Sequence, residues 1–85
     1  MATTRITNDA LDQVARLPRP IQNRVVKIIE RLNKWPQVSG AKPLRGELAR
    51  KFRMRTGDYR VQFYLDDNGD PTIEKVGHRD GFYDE

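Results

Sequence analysis

Between Lys51 and Arg55 the sequence reads Lys-Phe-Arg-Met-Arg, a cation and an apolar side chain in strict alternation. A period of two belongs to a β-strand, whose successive side chains point to opposite faces. A strand built this way has Phe52 and Met54 to bury and Lys51, Arg53 and Arg55 to leave in solvent. It therefore calls for a sheet with one covered and one open face. Arg60 to Leu65 repeats the pattern, with Val61, Phe63 and Leu65 alternating with Arg60, Gln62 and Tyr64. Gly57-Asp58 between the two runs is a turn signal. Asp66-Asp67-Asn68-Gly69-Asp70-Pro71 reads as a second turn, and Thr72 to Val76 as a further strand. Links this short join antiparallel neighbours, so the expected sheet is a three-stranded meander.

Upstream the period is helical, and these residues supply the cover. Thr3 to Thr7 alternates weakly and is a candidate first strand. Thr7 or Asn8 then caps a helix whose first turns carry Asp9 and Asp12, suited to its positive end. Leu11, Val14 and Leu17 fall on one face of it. Pro18 and Pro20 interrupt, and Pro20 suits the first turn of a second helix, where its missing N–H is not needed. That helix, about Pro20 to Lys34, sets Ile21, Val25, Ile28, Ile29 and Leu32 on one stripe, with Gln22, Asn23, Lys27, Glu30 and Arg31 opposite. Pro36 ends it, and Val38 to Pro43 reads as a loop. The expected fold is α+β, an N-terminal helical hairpin packed on one face of a small antiparallel sheet, as a single domain over residues 1–85. With 36% hydrophobic and 33% charged residues, the chain is too apolar for a disordered tail. No apolar run approaches the roughly 20 residues of a spanning helix, so no membrane association is expected. Nothing behind Met1 reads as a signal peptide, and cysteine is absent, which suits the cytoplasm.

Charge is unevenly distributed along the chain. Seven bases against two acids leave Lys42 to Arg60 at +5, whereas two bases against seven acids leave Asp66 to Glu85 at −5. A basic block within a folded chain is a candidate footprint for a polyanion, the alternative being a solvated charged strand. Same-face strand residues lie about 7 Å apart, close to the spacing of phosphates along a strand of nucleic acid. Folding has no need of Lys51, Arg53, Arg55 and Arg60 on one face, and the acids that would pair them lie in the C-terminal segment. That segment, Val76 to Tyr83, adds His78, the one side chain whose unperturbed pKa suits proton transfer near neutrality. Arg79 can clamp a phosphate, and Phe82 or Tyr83 can stack on an unpaired base. A lone histidine, no cysteine and scattered carboxylates make no metal-ligand set. No nucleophile triad, P-loop or dinucleotide motif is present.

The run Lys42-Pro43-Leu44-Arg45-Gly46-Glu47-Leu48, followed by Phe52 to Val61, resembles the centre of RelE/ParE-family toxins. Val76-Gly77-His78-Arg79 with Tyr83 is similar to the end of the RelE branch, and Leu17-Pro18-Arg19-Pro20 matches between two amphipathic helices. The resemblance covers nearly the whole chain. It implies the toxin of a toxin–antitoxin system, a ribosome-dependent endoribonuclease that cuts mRNA by attack of the ribose 2′-OH on its own phosphate, with no cofactor. Carried over by position, Lys51 and Arg53 help deprotonate the nucleophile and hold phosphate. Arg60 stabilises the pentavalent phosphate, Arg79 the leaving group, and Tyr83 stacks on the substrate base. The spacing from Arg79 to Tyr83 is shorter here than in the family pattern. His78 is a candidate second acid, and Arg45, Arg55 and Phe82 complete the RNA contact. The implied partners are a cognate antitoxin, bound as a hetero-oligomer, and the ribosome with its mRNA. A gyrase inhibitor on the ParE pattern, or an RNA-binding relative without catalysis, are the rival readings. Retention of Lys51, Arg53, Arg60 and Arg79 together favours the nuclease.

Overall fold

The computed structural model describes residues 2–46 and 50–82. In chain order these form β1 (Arg5–Ile6), α1 (Asn8–Ala15), α2 (Arg19–Leu32), β2 (Lys42–Pro43), β3 (Lys51–Thr56), β4 (Tyr59–Leu65) and β5 (Pro71–His78). The strands make one sheet in the order β1-β5-β4-β3-β2. Its centre, β3-β4-β5, is the antiparallel meander that the alternation predicts. Two-residue strands extend both edges. β2 lies in a stretch expected to be loop and pairs antiparallel to β3. β1 pairs with β5 in parallel, Arg5 opposite Thr72 and Ile6 opposite Ile73, so the sheet is mixed rather than wholly antiparallel. β1 falls within the stretch from Thr3 to Thr7 expected as a first strand, whereas β2 shows no period of its own; the open edges of β3 and β5 supply the hydrogen bonds that make both of them strands.

The helices cover one face. Thr7 Oγ1 accepts from the Ala10 N–H at 3.1 Å, which starts α1. α1 buries Ala10 and packs Val14 against the core, with Leu17 just past its end doing the same, whereas Leu11, expected on the covered face, is 53% exposed. Ala10, Gln13, Val14 and Leu17 form the inward stripe instead, because Gln13 Oε1 accepts from the Val76 N–H of β5 at 2.7 Å and turns that side of the helix to the sheet. Gln22 closes the hairpin, donating to the Val14 and Leu17 carbonyls at 3.0 and 3.1 Å at the end of α1. α2 buries Val25, Ile28 and Leu32, the stripe read from the sequence. Beneath them lie Met54, Val61, Phe63, Ile73 and Val76. Phe52 stacks on Phe63 at 5.3 Å, and the Trp35 ring meets both edge-on at 5.2 and 5.5 Å. Among the described residues, no helix is long and apolar enough to cross a membrane.

Candidate functional site

Register decides what the uncovered face of the sheet presents. Arg55 pairs with Arg60, Arg53 with Gln62 and Lys51 with Tyr64, so the three cations of β3 share a face with Arg60 across the ladder. On the far side of β4, Gly77 lies opposite Arg60 and Lys75 opposite Gln62. The next β4 residue, Phe63, pairs with Ile73, which leaves Glu74 as an extra residue in a bulge. The extra residue turns an acid onto the cationic face. Glu74 Oε2 lies 2.8 Å from Lys51 Nζ and accepts from Gln62 Nε2 at 2.9 Å. The expectation that the acids able to pair this face are displaced to the C-terminal segment therefore needs amending: strand pairing returns Glu74 to it.

The remaining candidate residues fall in two groups. Arg60 folds back on the β3–β4 turn, donating to the Gly57 and Tyr59 carbonyls at 3.2 Å each. Arg79 is held beside that turn by its N–H, which donates to Asp58 O at 2.7 Å, while its Nε lies 3.8 Å from carboxylate oxygens of Asp58 and Asp80. Arg55, Arg60 and Arg79 thus gather at one end of the face, and Lys51, Gln62 and Glu74 at the other. Arg45 is exposed just beyond β2, where the Leu44 N–H donates to Lys51 O at 2.9 Å. His78 pairs with Tyr59 and meets its ring edge-on at 5.2 Å, on the side of the strand that carries Val76 rather than Gly77. Its Nδ1 accepts from the Asp80 N–H at 3.1 Å, so the 3.5 Å approach of the Asp80 carboxylate to that atom is no ion pair in this tautomer. Phe82, expected as a stacking surface, is 3% exposed. Lys75 Nζ lies 4.5 Å from its ring centroid and donates to its carbonyl. The ring also sits over Gly77, where an added Cβ would meet it at 3.5 Å. Tyr83 lies outside the described residues.

Glu74 and Gln62 are the site residues that sequence reasoning missed. The signal was present, since Ile73 and Val76 both face the core yet stand three apart, one residue too many for an unbroken strand. The arrangement suits a polyanion. It offers guanidinium groups for phosphate and one carboxylate–ammonium pair able to exchange a proton with a hydroxyl.

No protein-family model matches the sequence, and no curated protein is significantly similar to it. Solved structures are similar. A chain of the RelBE2 toxin–antitoxin complex of Mycobacterium tuberculosis is 36% identical with a TM-score of 0.79, over 92% of this chain and 98% of that one. The RelB–RelE complex of Methanococcus jannaschii gives 20% identity and a TM-score of 0.78, over 94% and 95% of the two chains. The isolated RelE toxin of Escherichia coli gives 20% and 0.72, over 92% and 84%. The last two show the fold alone, and the isolated toxin tells which partner of such a complex has it. With a helical hairpin on one face of the sheet, cations across the other, and 36% identity to a RelBE2 chain over nearly its full length, this chain belongs to the RelE family of toxins.

Proposed function

We propose that this toxin is an mRNA endoribonuclease of the cytoplasm, dependent on the ribosome, and held inactive by a cognate antitoxin. The observation that carries the reading is the β3–β4 register, which sets cations of two strands side by side on the uncovered face. In this reaction the 2′-hydroxyl oxygen attacks the adjacent phosphorus and gives up its proton. The bond to the 5′-oxygen breaks, and that oxygen leaves with a proton, giving a 2′,3′-cyclic phosphate and a 5′-hydroxyl end. Charge builds on the phosphoryl oxygens, where preorganised guanidinium groups stabilise it. Arg60 is preorganised in this sense, fixed by the two carbonyls of its own turn. Arg79, beside the same turn, serves the departing oxygen. Lys51 and Glu74 stand at the other end as the pair that takes the nucleophile's proton.

Relatives of this chain are toxin–antitoxin complexes, which supports an antitoxin partner here. Acidic residues of such a partner would meet the open face, and apolar ones the exposed Leu11 and Val26 of the helices. The test is induction of the chain in a bacterial host with transcripts mapped for new 5′ ends, beside an Arg60→Ala/Arg79→Ala variant. Growth arrest with new ends inside translated frames is expected. The double variant should cleave at least about 100-fold more slowly, the usual loss when one charge-stabilising donor is removed. Arrest without cleavage but with DNA-damage signalling would move the protein to gyrase inhibition. No arrest from soluble protein would leave an inactive relative.

A further inference from the structure

We infer that α2 and the outer edge of β3 form a second groove, which binds the phosphodiester backbone of RNA beyond the segment being cut. The inference rests on the RNA-cleaving reading and adds a contact surface that reading does not use. Two adjoining clefts run between these elements, of about 290 and 240 Å³. Arg31, Lys42 and Arg53 line the first, Arg24 and Lys27 the second, and Arg31 and Arg55 border both. Among the described residues, no carboxylate lines either cleft. None of these six cations has an ion-pair partner among the described residues, whose bridges involve Arg5, Lys51, His78 and Arg79 instead. Arg53 goes further, since its Nε is buried without any hydrogen-bond partner there. Leaving so many like charges together and unpaired works against folding, so their arrangement points to an anion from outside.

Local structure keeps the groove open. Pairing with β2 stops at Phe52 and Arg53, so among the described residues the edge of β3 from Met54 to Thr56 has no strand beside it. Gly40 has φ +87°, a backbone conformation that suits glycine, and it lies in contact with the Arg31 guanidinium that lines both clefts. That guanidinium is anchored by donating to Ser39 O at 2.5 Å.

The lining favours a nucleic acid over an acidic protein segment. A docked peptide needs anchor pockets formed by apolar side chains, and among the described lining residues only Ile28 and Met54 are of that kind. Arg24, Lys27 and Arg31 succeed one another by three and four residues, about 5–6 Å apart on one helix face. Arg53 and Arg55 are about 7 Å apart on β3. At these spacings successive phosphates of one strand each meet a cation. Arg53 and Arg55 also belong to the open face, so RNA leaving the candidate active site passes round the edge of β3 along an unbroken line of positive charge.

The test uses the Arg24→Ala/Lys27→Ala variant of the full chain. Both positions are exposed and helical, and alanine is the best helix former, so the fold is retained; an unchanged circular-dichroism melt checks this. Arg24→Gln/Lys27→Gln serves if the first variant melts early. The probe is a fluorescent, non-cleavable 2′-O-methyl RNA oligonucleotide, followed by anisotropy across a salt series. Each lost phosphate contact removes roughly 0.7–0.9 from the slope of log affinity against log salt. Two contacts therefore remove about 1.4–1.8, which at 0.1 M salt is a roughly 25- to 60-fold weaker complex. Wild-type binding with an unchanged slope in both variants would overturn the groove. So would intact RNA binding with a lost, salt-dependent association of polyglutamate, which would assign the groove to an acidic protein segment. If wild-type protein neither binds the probe nor cleaves ribosome-bound mRNA, the nuclease reading itself falls.

Discussion

Arg55 and Arg60 sit directly opposite one another on adjacent strands, next to the tight turn that joins them. Two guanidinium groups in that relation repel, so the fold carries a cost that only a ligand relieves. At a separation of about 7 Å in water-like dielectric the repulsion is about 0.6 kcal/mol, within the range measured for cross-strand pairs. Arg55→Glu replaces it with an attraction of similar size. Allowing for the solvent exposure of Arg55, the net gain is about 0.5–1 kcal/mol. For a domain of this size that raises the melting temperature by about 2–8 °C. The assay is thermal denaturation by circular dichroism at low and at high ionic strength, with Arg55→Gln giving roughly half the effect. The gain should fade near 1 M salt, where charges separated by more than about 3 Å are screened. RNA cleavage should fall in the same variant that folds better. Arg55→Glu melting at or below wild type in low salt, or a gain that survives high salt, would refute the argument that this face is held together against its own charge.

Glu74→Gln keeps an acceptor for Gln62 but removes the charge beside Lys51. Single-turnover cleavage should slow by about 100-fold or more, with stability changed by less than about 1 kcal/mol because the pair is partly solvated; wild-type cleavage would exclude Glu74 from the proton path. Phe63 is fully buried, stacked on Phe52 and edge-on to Trp35. Phe63→Ala should cost about 3–5 kcal/mol, read as a lower urea midpoint at an unchanged slope, and a loss below about 1 kcal/mol would mean that this cluster is not the centre of the core.

Where residues repeat with a clear period, the sequence was legible. The stripe Val25, Ile28, Leu32 and the alternations of β3 and β4 state which side each residue takes, and the structure agrees. Leu11 misled because hydropathy alone cannot rank it against Ala10, and the deciding contact is the hydrogen bond that Gln13 Oε1 accepts from the Val76 N–H of a strand 63 residues away. β1 lies inside the weak alternation from Thr3 to Thr7, whereas β2 was hard to see for a different reason, since its two residues carry no period and depend on the edge they meet. For the candidate site, the cations of β3 and Arg60 could be placed together from alternation and a short turn. Glu74 could not be placed without counting the bulge. His78 still belongs to β5, and once the bulge is counted its alternation puts it on the Val76 side; Phe82 lies past the strand, where alternation no longer says which way a side chain goes, and the C-terminal segment folds it back over Gly77.

The strand order carries a consequence for how the molecule comes into being. β1 touches the sheet only through β5, and α1 lies chiefly on that same strand, yet some sixty residues separate them along the chain. Until Pro71–His78 emerges during synthesis, the first helix has no surface to settle on and β1 has no neighbour. A nascent fragment ending at Leu65 carries most of the cations but lacks the strand that seats the helical hairpin. Nothing short of the β5 strand makes a folded unit, so an interrupted translation product or a clipped chain is not a smaller toxin. It is an open sheet edge with uncovered apolar side chains, the kind of species that proteases clear.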